Sequence, residues 1–162
     1  MIGDDVKVVF LGGGAGQTRI MIDAPKEVNI ARSRAIEKRI SFLGICVGLQ
    51  VLFENSEEAP TATGLGLLKG SVLKYKTGKT PQVGWNEIKT TKNNSFLTDD
   101  YFYFVNSYYV NPKEKAVISS IANYNGDFCA SIEKENLCAV QFHPEKSGLV
   151  GANTIKAWLE KK

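Results

Sequence analysis

Residues 40–53 read ISFLGICVGLQVLF. Residues 40–45 form a short apolar run of the kind that makes a buried strand. The run ends at Cys46, and residues 47–53 then read as a short helix that begins at once. A nucleophile between a strand and a helix sits on a sharp turn, and the small residues Gly44 and Gly48 make that turn possible. Its side chain is then exposed at the carboxyl edge of the sheet, where ligands bind in open α/β folds. The helix N-terminus beyond it favours a thiolate, and the Val47 amide points at a developing oxyanion. Taken alone, the G-x-C-x-G pattern reads equally well as an ordinary buried cysteine.

Upstream, residues 6–11 (VKVVFL) are a second short apolar, β-branched run, ending at Gly12-Gly13-Gly14. Residues 25–39 carry Val28, Ala31 and Ala35 at the spacing of a helix face, with Pro25 suited to its first turn. Strand, helix and strand in that order imply a parallel pair and an α/β fold. The glycine loop lacks the GxGxxG spacing and the P-loop lysine of a phosphate cradle. It reads either as bare backbone amides completing an oxyanion hole opposite Val47, or as a tight turn.

Downstream, residues 70–76, 84–89, 101–110, 116–124 and 128–133 read as strands, with Asn125-Gly126 as a hairpin turn. Residues 137–142 (LCAVQF) make another apolar strand ending at His143, and residues 152–161 a closing helix. No repeat, low-complexity segment or long linker interrupts the chain, so residues 1–162 are expected to form a single domain.

His143-Pro144-Glu145 follows the last apolar strand. A thiol nucleophile needs a base, and His143 is the only histidine in the sequence. Pro144 favours an extended His143. Glu145, two residues on, can then reach the far side of the imidazole, select its tautomer and steady the imidazolium. A lone His-x-Glu is otherwise a surface histidine beside a solvated glutamate. Cys129 and Cys138 have no histidine to pair with and read as packing residues. The aromatic run at Tyr101, Phe102, Tyr103 and Phe104 reads as core and rim.

Bulk properties narrow the field. The net charge is +3, too mild for a nucleic-acid partner and without a basic, aromatic-laced cluster. No apolar run approaches the roughly 20 residues of a membrane helix, and the N-terminus is acidic where a signal peptide is basic. A cytoplasmic location is the expectation. Three cysteines without CxxC pairs argue against a disulfide framework or a zinc cage, and a single histidine excludes a multi-histidine metal site. Neither metal nor cofactor is expected.

Taken together, GICVGLQVLFENSEE (44–58), GLGLLKGSV (64–72), PQVGWNEI (81–88), YFYFVNSYYV (101–110) and QFHPEKSG (141–148) resemble class I, or triad, glutamine amidotransferases. Within these they resemble the glutaminase subunits of imidazole glycerol phosphate synthases, the HisH type, with PxxGWN the discriminating element.

The resemblance implies a flavodoxin-like α/β amidotransferase domain. It implies Cys46 as nucleophile, His143 as base and then acid, and Glu145 as the orienting carboxylate. Glutamine would form a γ-glutamyl thioester on Cys46 and release ammonia. By motif position, Gly12, Gly13 and Gly14 match the family's oxyanion strand. Gln50, Ser107 and Tyr108 match positions that hold the substrate glutamine. The implied partner is a (β/α)8-barrel cyclase subunit of the HisF type, forming a heterodimer. Its products would be imidazole glycerol phosphate and the purine precursor AICAR, in histidine biosynthesis.

A paralogue serving sugar modification for a surface polysaccharide would share this chemistry, and a non-catalytic docking subunit would share the fold. A cysteine redox sensor on the same fold is disfavoured by the retained HPE element. Three departures from the family pattern stand out. Only residues 1–11 precede Gly12, so the usual first strand-helix-strand is expected to be lacking, which would expose apolar edges. The loop reads LGGG rather than PGVG, and its extra glycine loosens it. Gln82 and Asn106 stand where many relatives have histidine, and both remain hydrogen-bonding residues.

Overall fold

Strand-forming runs outnumber helical ones in this sequence, and the computed structural model is correspondingly sheet-rich. It describes residues 7–11, 19–23 and 41–161. The chain divides into two units, Met1–Lys38 and Arg39–Lys162.

In the first unit, β1 (Lys7–Leu11) pairs antiparallel with β2 (Arg19–Asp23), Lys7 facing Asp23 and Leu11 facing Arg19. The strand expected at residues 6–11 is present. Its expected parallel pairing with the strand before Cys46 is corrected to this antiparallel pair. The physical reason is proximity: residues 12–18 alone separate the two strands, and a short connection closes an antiparallel pair at low entropic cost. The glycine loop at 12–14 and the helix expected at 25–39 lie outside the described residues.

The second unit holds a nine-stranded mixed sheet. The strand before Cys46 is β3 (Phe42–Ile45), followed by the single-turn helix α1 (Val47–Gln50) and the short β4 (Asn55–Ser56). Next come β5 (Gly70–Lys74), β6 (Gln82–Thr90), β7 (Asp100–Asn106) and β8 (Tyr108–Pro112). The hairpin of β9 (Ile118–Asn123) and β10 (Asp127–Lys134) turns at Asn125 and Gly126, both at positive φ. The buried strand β11 (Leu137–Val140) and the helix α2 (Gly148–Glu160) complete the unit. Laterally the order is β4-β5-β8-β10-β9-β6-β7, with β11 on β10 and β3 on β11. The parallel partner of β3 is thus β11, at the other end of this unit's sequence, Phe42 facing Leu137 and Ile45 facing Val140.

Two expected elements change. The single strand read over residues 101–110 breaks at Ser107, because β7 pairs with β6 whereas β8 pairs with β5 and β10. A strand that changes partners must bend, and Asn106 Nδ2 donates to the Tyr108 carbonyl at 2.9 Å across that corner. The helix read over residues 47–53 is only one turn long, and residues 51–53 continue it as turns.

Period-two alternation along β7 sends Phe102 and Phe104 into the core and leaves Tyr101 and Tyr103 at the rim. Phe102, Phe104 and Phe142 are fully buried, with ring centroids 4.2 Å apart for Phe102–Phe142 and 5.7 Å for Phe104–Phe142. Each contributes on the order of 1.5–3 kcal/mol by burial. Phe142 directly precedes His143, so the same packing that builds the core anchors the histidine. Cys129 and Cys138 are buried within β10 and β11, the packing positions expected of them.

Candidate active site

Cys46 sits between β3 and α1 with φ 53 and ψ −107. A non-glycine residue at positive φ is strained and is held only by its surroundings. Here the Cys46 N–H donates to the Val140 carbonyl at 2.8 Å, and its own carbonyl accepts from the Leu49 N–H at 3.0 Å. Gly44 makes the close approach possible: a Cβ there would lie 2.6 Å from the Gly48 carbonyl oxygen. Gly48 is different, because a Cβ there would meet open space. The turn therefore requires the first glycine of G-x-C-x-G on steric grounds and not the second. Val47 occupies the first helical position, where an N–H has no partner within the helix. Because α1 is a single turn, its macrodipole lends the sulfur less support than a longer helix would.

His143 has φ −106 and ψ 92, the extended geometry expected before a proline. The chain then turns through a short 3-10 segment, Pro144–Lys146, rather than running on extended. That turn brings Glu145 Oε1 to 2.6 Å from His143 Nδ1. The His143 N–H donates to the Tyr103 carbonyl at 2.9 Å. The buried Ser147 hydroxyl donates to the His143 carbonyl at 2.7 Å and accepts from the Tyr103 N–H at 2.9 Å. Burial alone would lower the imidazole pKa. Hydrogen bonds to the Cys46 side chain and to Glu145 outweigh it and raise His143 to about 9. Burial likewise acts to raise Glu145, but its hydrogen bond to His143 prevails and holds the carboxyl below its usual range. The structure thus hydrogen-bonds His143 to Glu145, and the parallel pairing of β3 with β11 sets Cys46 and His143 just beyond the ends of adjacent strands.

Beside Cys46 lies a cavity of about 200 Å³ lined by Val47, Gln50, Val51, Phe53, Asn55, Ser56 and Glu58, among others. Val47 and Gln50 are among the site residues expected from the sequence. Ser107 and Tyr108 do not line this cavity. Tyr108 meets it indirectly, since its carbonyl accepts from Gln50 Nε2 at 3.2 Å. The Ser107 carbonyl accepts from the Tyr75 N–H at 3.2 Å. Gly12, Gly13 and Gly14 lie outside the described residues.

Sequence reasoning missed three participants: Gln141, Ser147 and Glu58. The Gln141 amide approaches the sulfur, with Nε2 3.6 Å from Cys46 Sγ. A lone amide in the apolar run LCAVQF was the available signal, because a buried polar side chain must find partners. Glu58 lies within the quoted segment 44–58, yet nothing in spacing separates it from solvated glutamates.

Residues 2–159 match the family model described as glutamine amidotransferase class-I. The chain belongs to the class-I glutamine amidotransferases. Among similar proteins of this family is imidazole glycerol phosphate synthase subunit HisH of Methanocaldococcus jannaschii, 43% identical, the match covering 95% of this chain and 80% of that one. HisH 1 of Methanococcus maripaludis is 45% identical, over 76% of this chain and 63% of that one. A HisH of Thermus thermophilus is 49% identical, over 73% and 59%. The chain therefore spans under two thirds of the length of some HisH relatives and four fifths of others. In fold it is similar to a crystal structure of a glutamine amidotransferase (TM-score 0.62, 16% identity, 83% of this chain and 67% of that one). It is also similar to a glutamine amidotransferase from Thermotoga maritima (TM-score 0.55, 22% identity, 83% and 52%). The class-I amidotransferase fold expected from the motifs is the fold observed.

Proposed function

We propose that residues 1–162 act as one amidotransferase domain that hydrolyses glutamine and passes the ammonia to a synthase subunit. The observation that carries this is the His143–Glu145 hydrogen bond beside the parallel pair β3–β11, whose strands lead to Cys46 and His143.

In this reading the Cys46 thiolate attacks the side-chain amide carbon of glutamine. The developing oxyanion takes a hydrogen bond from the Val47 N–H. The His143 imidazolium gives its proton to the departing nitrogen, and ammonia leaves. The resulting γ-glutamyl thioester is attacked by water, whose proton goes to the now neutral His143. Glutamate and the Cys46 thiolate are regenerated. Glu145 steadies the imidazolium throughout. The cavity beside Val47 and Gln50 receives the amino-acid part of glutamine, and the Glu58 carboxylate suits its ammonium group.

The partner in this reading is a (β/α)8-barrel cyclase of the HisF type, in the cytoplasm, making imidazole glycerol phosphate and AICAR for histidine biosynthesis. Ammonia kept from water stays unprotonated and nucleophilic. A surface suited to sealing the site surrounds it. Val83 and Trp85 on β6 face Val105 and Tyr103 on β7, and both Val83 and Trp85 are more than half exposed. The Val105 carbonyl accepts weakly from Cys46 Sγ at 3.9 Å, and the Tyr103 carbonyl holds His143. The apolar edge and the chemistry therefore share a strand.

The test mixes the chain with a barrel cyclase and its nucleotide ligand and follows glutamate release from glutamine. Release that requires both Cys46 and the cyclase supports the reading. A complex that forms without any release would make the chain a docking subunit.

A further inference from the structure

Gln50 and Gln141 form a short chain of amides behind the nucleophile. Gln50 Nε2 donates to the Tyr108 carbonyl at 3.2 Å and to Gln141 Oε1 at 3.1 Å. Gln141 Nε2 then donates to Cys46 Sγ at 3.6 Å. Gln141 is wholly buried on the strand end that leads to His143.

The polarity of this chain has one origin. A backbone carbonyl only accepts, so Gln50 must turn its NH₂ toward Tyr108. Both hydrogens of that NH₂ are used, one on Tyr108 and one on Gln141. Gln141 must then present its oxygen to Gln50, and its own NH₂ faces the sulfur. Reversing Gln50 would set two oxygens against each other, and reversing Gln141 would set two NH₂ groups against each other, in a buried place, which is costly. We infer that Gln141 is a dedicated hydrogen-bond donor to the Cys46 sulfur, and that Gln50 is the positioning residue that aims it from the Tyr108 carbonyl.

The need for such a donor follows from α1. A single helical turn offers the sulfur little dipole, and the Val105 carbonyl beside it only accepts. An amide N–H favours the thiolate and cannot remove its proton. The inference deepens the amidotransferase reading and rests on it for Cys46 as the nucleophile.

Iodoacetamide is a small neutral electrophile that needs no glutamine pocket, so its rate on Cys46 reads the sulfur itself. Gln141→Met keeps the side-chain length without the N–H, and Gln141→Glu keeps the shape but offers acceptors. At pH 7, alkylation of the Cys46 peptide, read by mass spectrometry, is expected to slow about tenfold in Gln141→Met and at least as much in Gln141→Glu. In the complex, kcat for glutamate release should fall in proportion while KM stays within about twofold, whereas general loosening of the site would move both. Alkylation of Gln141→Met at the parental rate overturns the inference.

Should the Gln141 variants not fold, a comparison that leaves Gln141 in place answers. With side-chain ¹⁵N-labelled glutamine, Cys46→Ala should move the Gln141 amide resonance, and an unmoved resonance overturns the inference. Neither the alkylation rate nor the amide resonance involves glutamine turnover. A chain that passes both yet releases no glutamate refutes the proposed function and leaves the donor role standing.

Discussion

Gly151 and Pro144 approach so closely that a Cβ on Gly151 would lie 1.8 Å from the Pro144 carbonyl oxygen. The contact seats the first turns of α2 directly on the turn that carries Glu145. It also inverts an ordinary rule. Glycine to alanine inside a helix normally stabilises by about 0.5–1 kcal/mol. Here Gly151→Ala is expected to destabilise by about 1–3 kcal/mol through overpacking. It should also lower glutamate release, because the turn from His143 to Glu145 must move. Urea midpoints and kcat measured on the same variant check both parts.

The two glycines around Cys46 should behave oppositely. Gly44→Ala forces a methyl group against the Gly48 carbonyl and the Ala139 side chain, and is expected to cost several kcal/mol, about 2–4, or to prevent folding. Gly48→Ala meets open space within α1 and is expected to leave the urea midpoint unchanged or slightly raised. Equal losses from the two would contradict the geometry described for this turn.

Glu145→Gln keeps the size of the side chain and removes its charge. The amide can offer a donor to His143 Nδ1, and that selects the wrong tautomer. A fall in kcat of about 10²–10⁴-fold is expected, by analogy with the corresponding change in serine proteases, with KM little altered. Steady-state glutamate release in the presence of the partner measures it.

The pH dependence of stability has a defined sign. His143 is raised from an ordinary 6.5 to about 9 in the folded chain. A raised group stabilises fully below its unfolded value and loses that contribution as pH climbs through its folded value. Stability should therefore decline between about pH 6.5 and 9. His143→Gln should flatten that decline, and Cys46→Ala should reduce it by removing one of the groups that raises the imidazole. Urea midpoints across this pH range decide it. A parental decline retained in full by His143→Gln would assign it to other groups.

Much of the site was legible because its pieces are short and local. A run of apolar residues ending in a cysteine between glycines specifies a strand and the turn after it within a few residues. The run ending at His143 specifies its strand but not the 3-10 turn that carries Glu145. The hairpin at Asn125-Gly126 is equally local, since asparagine tolerates a positive φ and glycine, lacking a Cβ, adopts one freely. The break at Ser107 was not legible. Nothing in FYFVNSYYV marks the residue at which one strand leaves its partner for another, because that choice belongs to the sheet and not to the segment.

By itself the sequence determined which residues could carry the chemistry, the strands that lead to them and the family to which they belong. Each of these follows from residue type and short spacing. The tertiary structure decided which strands become neighbours, and through them the environment of each group. β3 meets β11 across most of the chain and so joins Cys46 to His143. The change of partners from β7 to β8 places the Tyr108 carbonyl where Gln50 can reach it. Gln141 faces the sulfur because of that distant carbonyl. Hydrogen-bond polarity passes only through contacts, and contacts between residues 46, 50, 108 and 141 exist only once the sheet has closed.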